Sequence, residues 1–211
     1  MEKLDLRKQL ASLYKASARE PALVEVPALN YLMIDGRGDP ETSPAFPQAI
    51  EALYGLSYTL KFGLKKTEGL DWRVMGLEGL WWSKGNDPGE AVRKGERARW
   101  QWTLMIPQPD FITRAFVEEA REDLLARRAM PAAKLVRLER LEEGLSAQIL
   151  HVGPYAEEAP TIDLMHAFIH EKGYELAGKH HEIYMSDPRR TKPDRLKTIL
   201  RQPVKKVGKK R

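Results

Sequence analysis

The sequence predicts an α+β protein in which two similar halves share one antiparallel sheet. Stretches with strand periodicity and stretches with helical periodicity alternate along the chain. Each half shows the same order of elements: strand, turn, helix, strand, strand. A chain of 211 residues, 42% of them hydrophobic, is long enough to bury one substantial core. We therefore expect two long helices on one face of the sheet, and a central groove where the halves meet.

The first half is predicted to span about residues 21–110, after an N-terminal helix within residues 1–20. Apolar residues recur at helical spacing from Leu6 to Tyr14, which indicates that first helix. Ser43 followed by Pro44 is typical of a helix start. The predicted elements of this half are strands at 22–26 and 28–34, a long helix from Ser43, and strands at 71–82 and 98–106.

The second half is predicted to span about residues 130–203, after a helix over residues 113–129. Sequence identity between the halves is weak, so the prediction of a duplication depends on the order of the elements. A basic tail is expected over residues 204–211. The predicted elements of the second half are strands at 133–138 and 145–152, a helix at 161–172, and strands at 174–185 and 196–203.

Composition and charge exclude several classes of protein. The formal net charge is +5, and residues 205–211 alone carry five positive side chains. The remainder is close to neutral and has no recognisable nucleic-acid-binding motif, so nucleic-acid binding is not favoured. Cysteine is absent, which excludes disulfides and thiolate metal sites. No apolar run is long enough to cross a membrane and the N-terminus is charged, so we expect a cytoplasmic protein.

A strand predicted to end at Met185 contains the most informative polar residues. Strand alternation places His180, Glu182 and Tyr184 on one face. A carboxylate beside a phenol can act as a general base with a hydrogen-bond donor, or can recognise a planar cation. Such a pair is also ordinary on a solvent-facing strand, and the spacing alone favours this second interpretation.

Tryptophan residues strengthen the case for a pocket. Trp81 and Trp82 are adjacent on one strand, so only one of them can face the core. Trp100 and Trp102 share one face of the following strand, a pattern that is typical of core residues. Aromatic walls around a carboxylate suit flat, heteroaromatic or cationic guests. Further aromatic candidates for the pocket wall are Tyr54, Tyr58 and Phe168.

Metal and cofactor chemistry find little support. His166 and His170 have the spacing of helical zinc ligands, and His180 with Glu182 would complete a set. Helical projection, however, places His166 and His170 on the polar side of their helix, where we expect them to be solvated. No serine-hydrolase, phosphate-loop or dinucleotide motif occurs. We expect neither a metal nor a cofactor.

Four runs resemble the stand-alone GyrI-like proteins, which are relatives of DNA gyrase inhibitor and of effector-binding domains of multidrug-responsive regulators. They are residues 77–82, 151–155, 178–191 and 196–201. The resemblance covers nearly the whole chain, and residues 178–191 are its most specific part. It implies a single domain over residues 21–203 with a pseudo-symmetric pair of strand-helix-strand-strand repeats, in agreement with the element order above.

The resemblance also implies a function. The family pocket takes bulky aromatic or cationic compounds over a carboxylate, whose position matches Glu182. Some members are hydrolases that open the cyclopropane of DNA-alkylating natural products, and their functional residues match Glu182, Tyr184 and the Trp81–Trp82 pair. A non-catalytic binder or sensor of aromatic cations is the alternative. No DNA-binding domain is expected within residues 1–21, and an interaction with DNA gyrase rests on the family name alone.

Overall fold

One large antiparallel sheet organises the chain, with α-helices packed against it. The computed structural model describes residues 3–83 and 97–208. The described helices are α1 (Leu6–Gln9), α2 (Ala45–Thr67), α3 (Arg114–Arg127) and α4 (Ala159–Glu171). The described strands are β1 (Ala22–Val26), β2 (Leu29–Arg37), β3 (Glu78–Trp82), β4 (Gln101–Gln108), β5 (Arg137–Leu141), β6 (Gly144–Val152), β7 (Tyr174–Leu176), β8 (His180–Tyr184) and β9 (Lys197–Lys206).

The order of the strands reflects the two halves of the sequence. Strands follow one another as β1-β6-β9-β8-β3-β4-β2-β5, and β7 pairs with β9. Counted outwards from the centre of the sheet, β8, β9 and β6 of the second half occupy positions equivalent to β3, β4 and β2 of the first half. The first strand of each half pairs with the other half, since β1 joins β6 and β5 joins β2. The predicted α+β class with an antiparallel sheet is confirmed, and the two halves meet at the β3–β8 pair.

Two helices cover the same face of this sheet. Directly paired residues of neighbouring strands project to one face. At one end of such a row, Ile149 packs in a cluster with α4, and at the other end Ile34 packs in a cluster with α2. Glu182 lies at the middle of the row, between the parts covered by the two helices. The row consists of Ile149, Leu200, Glu182, Gly79, Leu104 and Ile34.

Helix α2 is held by an apolar stripe at helical spacing. Ala52, Leu53 and Leu56 are fully buried against the sheet, and burying a leucine side chain stabilises a fold by about 1.5–3 kcal/mol. The helix ends at Thr67, where the N–H of Glu68 bonds the Leu64 carbonyl. Within residues 3–83 and 97–208, no helix combines the length and the apolar composition that crossing a membrane requires.

Several element boundaries differ from the prediction. The N-terminal helix stops at Gln9 instead of continuing to Tyr14, and the following turn buries Leu13 and Tyr14. The segment predicted as a strand over 174–185 is divided into β7 and β8 at Gly178, whose φ of 58° suits a glycine.

Other boundary differences have equally local causes. The strand predicted over 71–82 forms only from Glu78 onwards. Pro131 begins a 3₁₀ turn in place of the strand predicted from residue 133. β9 continues through Lys206, so the first lysines of the predicted tail belong to a strand. Residues 84–96, between the strands predicted at 71–82 and 98–106, lie outside the described residues.

Candidate functional site

Both faces of β8 are buried. His180, Glu182 and Tyr184 project towards the helices, whereas His181 and Ile183 project to the opposite face. Glu182 is only 7% exposed, and both histidines are completely buried. The interpretation of this strand as an ordinary solvent face is therefore wrong, and Glu182 is a carboxyl group removed from bulk water.

Four side chains surround the Glu182 carboxyl group, among them His180, whose Nε2 lies 3.8 Å from Glu182 Oε1. Tyr184 Oη donates a hydrogen bond of 2.8 Å to Glu182 Oε2. Trp81 lies on the paired strand, directly opposite His180. The carboxyl group of Glu158, the residue that precedes α4, lies next to that of Glu182. Glu158 is 2% exposed, so two acidic groups share one buried space.

The environment raises the pKa values of both acids. Burial raises the pKa of Glu182 to about 7, although the Tyr184 hydroxyl, the charge of His181, Glu158 and Trp81 all act in the other direction. Burial and the neighbouring Glu182 charge raise the pKa of Glu158 well above its usual range. At neutral pH the pair therefore holds at least one proton.

Gly79, which has no side chain, leaves room for the groups around the Glu182 carboxyl group. Gly79 is paired directly with Glu182. A Cβ atom at residue 79 would lie 2.9 Å from Trp81 Nε1 and 3.3 Å from Tyr184 Oη. Both distances are shorter than ordinary van der Waals contact, so only glycine allows the indole N–H and the phenol to converge on Glu182.

Unsatisfied polar atoms concentrate around the same carboxyl group. Folded proteins leave few buried polar atoms without a hydrogen bond, and such atoms often mark a ligand or water site. Burial lowers the pKa of His180 to about 3, so its ring is neutral at pH 7 and offers one donor and one acceptor. Within the described residues, the buried atoms here that lack a well-formed hydrogen bond are Trp81 Nε1, Glu158 Oε1, both ring nitrogens of His180, and Thr198 Oγ1.

Aromatic rings form two sides of the site. On one side the Trp81 ring lies 5.5 Å from that of Trp100, edge to face, and 6.0 Å from that of Phe46. On the other side the Tyr155 ring meets the Tyr184 ring edge to face at 5.7 Å. Tyr155 is 39% exposed, so this wall reaches the protein surface.

The remaining aromatic candidates lie in different parts of the fold. Trp82 projects to the opposite face of the sheet, where Lys179 Nζ lies 3.4 Å from its ring centroid. Trp102 is 1% exposed and belongs to the core. Phe168 packs on the cluster under α4. Tyr54 and Tyr58 stack along α2 at 6.3 Å, with Tyr58 45% exposed.

The prediction missed Glu158 and misplaced His166. Glu158 follows the Gly153-Pro154-Tyr155 turn and comes immediately before a helix, a position where an acidic residue usually serves as a surface cap. His166 is buried and not solvated, because the covered stripe of α4 is wider than its apolar residues indicate. Among the described residues, no group of three or more His, Asp or Glu side chains is arranged to hold a metal ion.

The opposite face of β8 carries a paired ionic network. His181 lies between two carboxylates, with Nδ1 2.9 Å from Glu143 Oε2 and Nε2 3.1 Å from Glu78 Oε2. Tyr14 donates a 2.9 Å hydrogen bond to Glu78, and Arg201 bonds Glu143 at 3.3 Å. Burial alone lowers the pKa of His181, but the two carboxylates outweigh it and raise that pKa to about 9.

Comparison with known proteins assigns the chain to a family. A model of the GyrI-like small molecule binding domain matches residues 19–205. The chain belongs to this family. As a GyrI-like domain it is a small-molecule-binding domain. A search of curated proteins found no match.

Solved structures agree with the family assignment. A hydrolase from Listeria innocua is 37% identical, with a TM-score of 0.83 over 96% of this chain and 100% of that one. An uncharacterized conserved protein from the same organism is also 37% identical, with a TM-score of 0.88 and the same coverage. The C-terminal domain of EcmrR is 12% identical, with a TM-score of 0.56 over 89% of this chain and 98% of that one, and this likeness shows the fold alone.

Proposed function

We propose that this GyrI-like protein hydrolyses planar aromatic compounds of the cyclopropanoid class. The observation that carries the proposal is the buried Glu182 carboxyl group, hydrogen-bonded to Tyr184 and flanked by Trp81. The 37% identity to a Listeria innocua hydrolase supports an enzymatic activity. The resemblance described above supplies the substrate class.

In the proposed reaction, water opens a strained ring. The water oxygen forms a bond to the ring methylene, and the carbon–carbon bond of the cyclopropane breaks. The released electron pair moves through the conjugated dienone to its oxygen, which becomes a phenolate and then takes a proton from solvent. Glu182 accepts a proton from the attacking water, and Tyr184 fixes the Glu182 carboxylate by its hydrogen bond. Trp81 stacks on the flat substrate, with Trp100, Tyr54 and Tyr58 extending the aromatic wall.

The protonation state of Glu182 suits this role. A general base is most effective when its pKa lies near the working pH, and burial raises the pKa of Glu182 to about 7. Restored aromaticity drives the reaction, so the protein has to orient a water molecule and remove one proton. A general base typically contributes about 10²–10⁴-fold to the rate.

The test is hydrolysis by Glu182→Gln, measured by mass spectrometry as the gain of one water by a cyclopropanoid compound. We expect about 10²–10⁴-fold slower conversion with binding retained. Glu157→Gln is the matched control, because Glu157 is exposed and lies beside the site in sequence. An unchanged rate in Glu182→Gln would remove Glu182 from the catalytic role.

A non-catalytic binder of aromatic cations is the second candidate. Two adjacent buried acids, Glu158 and Glu182, favour it because they offer a counter-charge to a cationic ring system. Incubating the protein with a cyclopropanoid compound and with a stable aromatic cation separates the two functions. Tight binding of the cation without conversion of the first compound would support the binder.

A further inference from the structure

Glu158 is a buried acid with one carboxyl oxygen that lacks a well-formed hydrogen bond within the described residues. Its side chain is 2% exposed, and the oxygen concerned is Oε1, which lacks this bond although the Thr198 hydroxyl lies nearby. An ionised carboxylate only accepts hydrogen bonds, so this oxygen would remain unsatisfied. A protonated carboxyl group, in contrast, can donate to the neighbouring carboxylate of Glu182.

Two phenols and two histidines lie around the pair. The phenols of Tyr155 and Tyr184 face it, and the pKa of the Tyr155 phenol is raised to about 12, chiefly by burial. His166 on α4 and His180 on β8 lie on the same face, and His180 is neutral at pH 7.

The charge of His181, which acts on Glu182 from the other side of the sheet, is already engaged. His181 projects to the opposite face of the sheet, where its charge is paired with Glu78 and Glu143. The dipole of α4 favours an ionised Glu158, but this effect is smaller than the repulsion between two adjacent buried carboxylates. Two negative charges side by side would therefore repel each other in this buried space.

We propose that Glu158 is kept as a carboxylic acid whose O–H donates to Glu182, which makes it a positioning residue for the proposed base. The inference rests on the proposed function, in that Glu182 acts as the base. Tyr184 already donates to Glu182 Oε2. The Glu158 proton supplies a further donor, which keeps Glu182 ionised and fixes the orientation of its carboxylate.

The first test requires no substrate. At pH 8, above the titration of Glu182, infrared spectroscopy of the wild-type protein should show the carbonyl band of a protonated carboxylic acid. Glu158→Gln should lack this band, and Glu157→Gln should retain it. A band that is absent from the wild type, or that persists in Glu158→Gln, would overturn the assignment.

The second test compares two substitutions by their pH profiles of hydrolysis. Glu158→Gln keeps a donor in its amide N–H₂, so the midpoint of the profile should stay near that of the wild type. Glu158→Leu removes the donor, which should move the midpoint to higher pH and slow turnover at pH 7 by about tenfold. Equal midpoints for the two variants would refute the role. If the wild type hydrolyses no such compound, the proposed function fails, and the infrared test still decides the state of Glu158.

Discussion

Stability should fall as the pH rises above neutrality, because the network behind β8 needs a charged imidazole. His181 lies between Glu78 and Glu143 and is completely buried. The two carboxylates raise the pKa of His181 to about 9 against the opposing effect of burial. Deprotonation of His181 in the folded protein would leave two buried carboxylates without this counter-charge, and only Glu143 would retain Arg201.

The size of the effect follows from linkage between proton binding and folding. In the unfolded chain a histidine titrates near pH 6.5, whereas in the folded protein His181 titrates near 9. The stabilisation is fully present below the unfolded pKa and is lost as the pH rises through the folded pKa. Between pH 7 and pH 9.5 the loss from this one group amounts to about 2 kcal/mol.

Urea unfolding of the wild type and of His181→Gln, at both pH values, measures this loss. Other groups also titrate in this range. The charge of His181 lowers the pKa of Glu182, so Glu182→Gln is introduced into both proteins to remove that contribution, and the effects of distant groups are shared. The difference in free energy of unfolding between wild type and variant isolates His181. We expect that difference to shrink by about 2 kcal/mol on going from pH 7 to pH 9.5.

A difference that stays constant with pH would refute this reasoning. It would mean that His181 keeps its charge in the folded state beyond pH 9.5, or that it never carries the charge at pH 7. A separate NMR titration of the His181 ring distinguishes these cases, since we expect its resonances to shift near pH 9. The upper limit of pH 9.5 keeps the measurement below the usual range in which tyrosines ionise.

Three further outcomes are expected. Gly79→Ala should abolish ligand binding measured by fluorescence titration while the protein stays folded, and Gly63→Ala, with open space around its Cβ position, should bind normally. Tyr14→Phe should lower the free energy of unfolding by about 1.5–3 kcal/mol, measured in urea, because Glu78 loses a hydroxyl donor. The kcat/KM of hydrolysis should rise with pH through about 7 as Glu182 loses its proton, and a profile that is flat from pH 6 to 8 would contradict this.

The sequence predicts the fold well where a periodic pattern is long. The apolar stripe of α2 and the alternation along β8 are both present as expected. Boundaries are less predictable, since a local apolar spacing such as that of Leu6 to Tyr14 does not reveal that the chain turns after Gln9 to bury Leu13 beneath the sheet. That turn depends on Arg201, which bonds the Leu13 carbonyl at 2.8 Å across 188 positions of sequence.

The site is only partly predictable for a related reason. Glu182 and Tyr184 share a strand, so alternation alone places them together. Glu158 reaches Glu182 because α4 packs on β6 and β9, and no spacing in the sequence encodes that approach. The role of Gly79 is equally unpredictable from the sequence, since it depends on the space that the Trp81 and Tyr184 side chains occupy in the folded protein.

The two faces of β8 differ in how fully their polar groups are paired. His180 and His181 are neighbours in sequence and equally buried, yet His180 has its pKa lowered to about 3 while that of His181 is raised to about 9. The cause is the partner on each side: His181 lies between two carboxylates, whereas both nitrogens of His180 lack a well-formed hydrogen bond within the described residues. A strand fixed by a fully paired network on one face can hold unsatisfied polar groups on the other face without losing its register. This asymmetry explains how Glu182 can be held in place beside unsatisfied polar groups, as the proposed function requires.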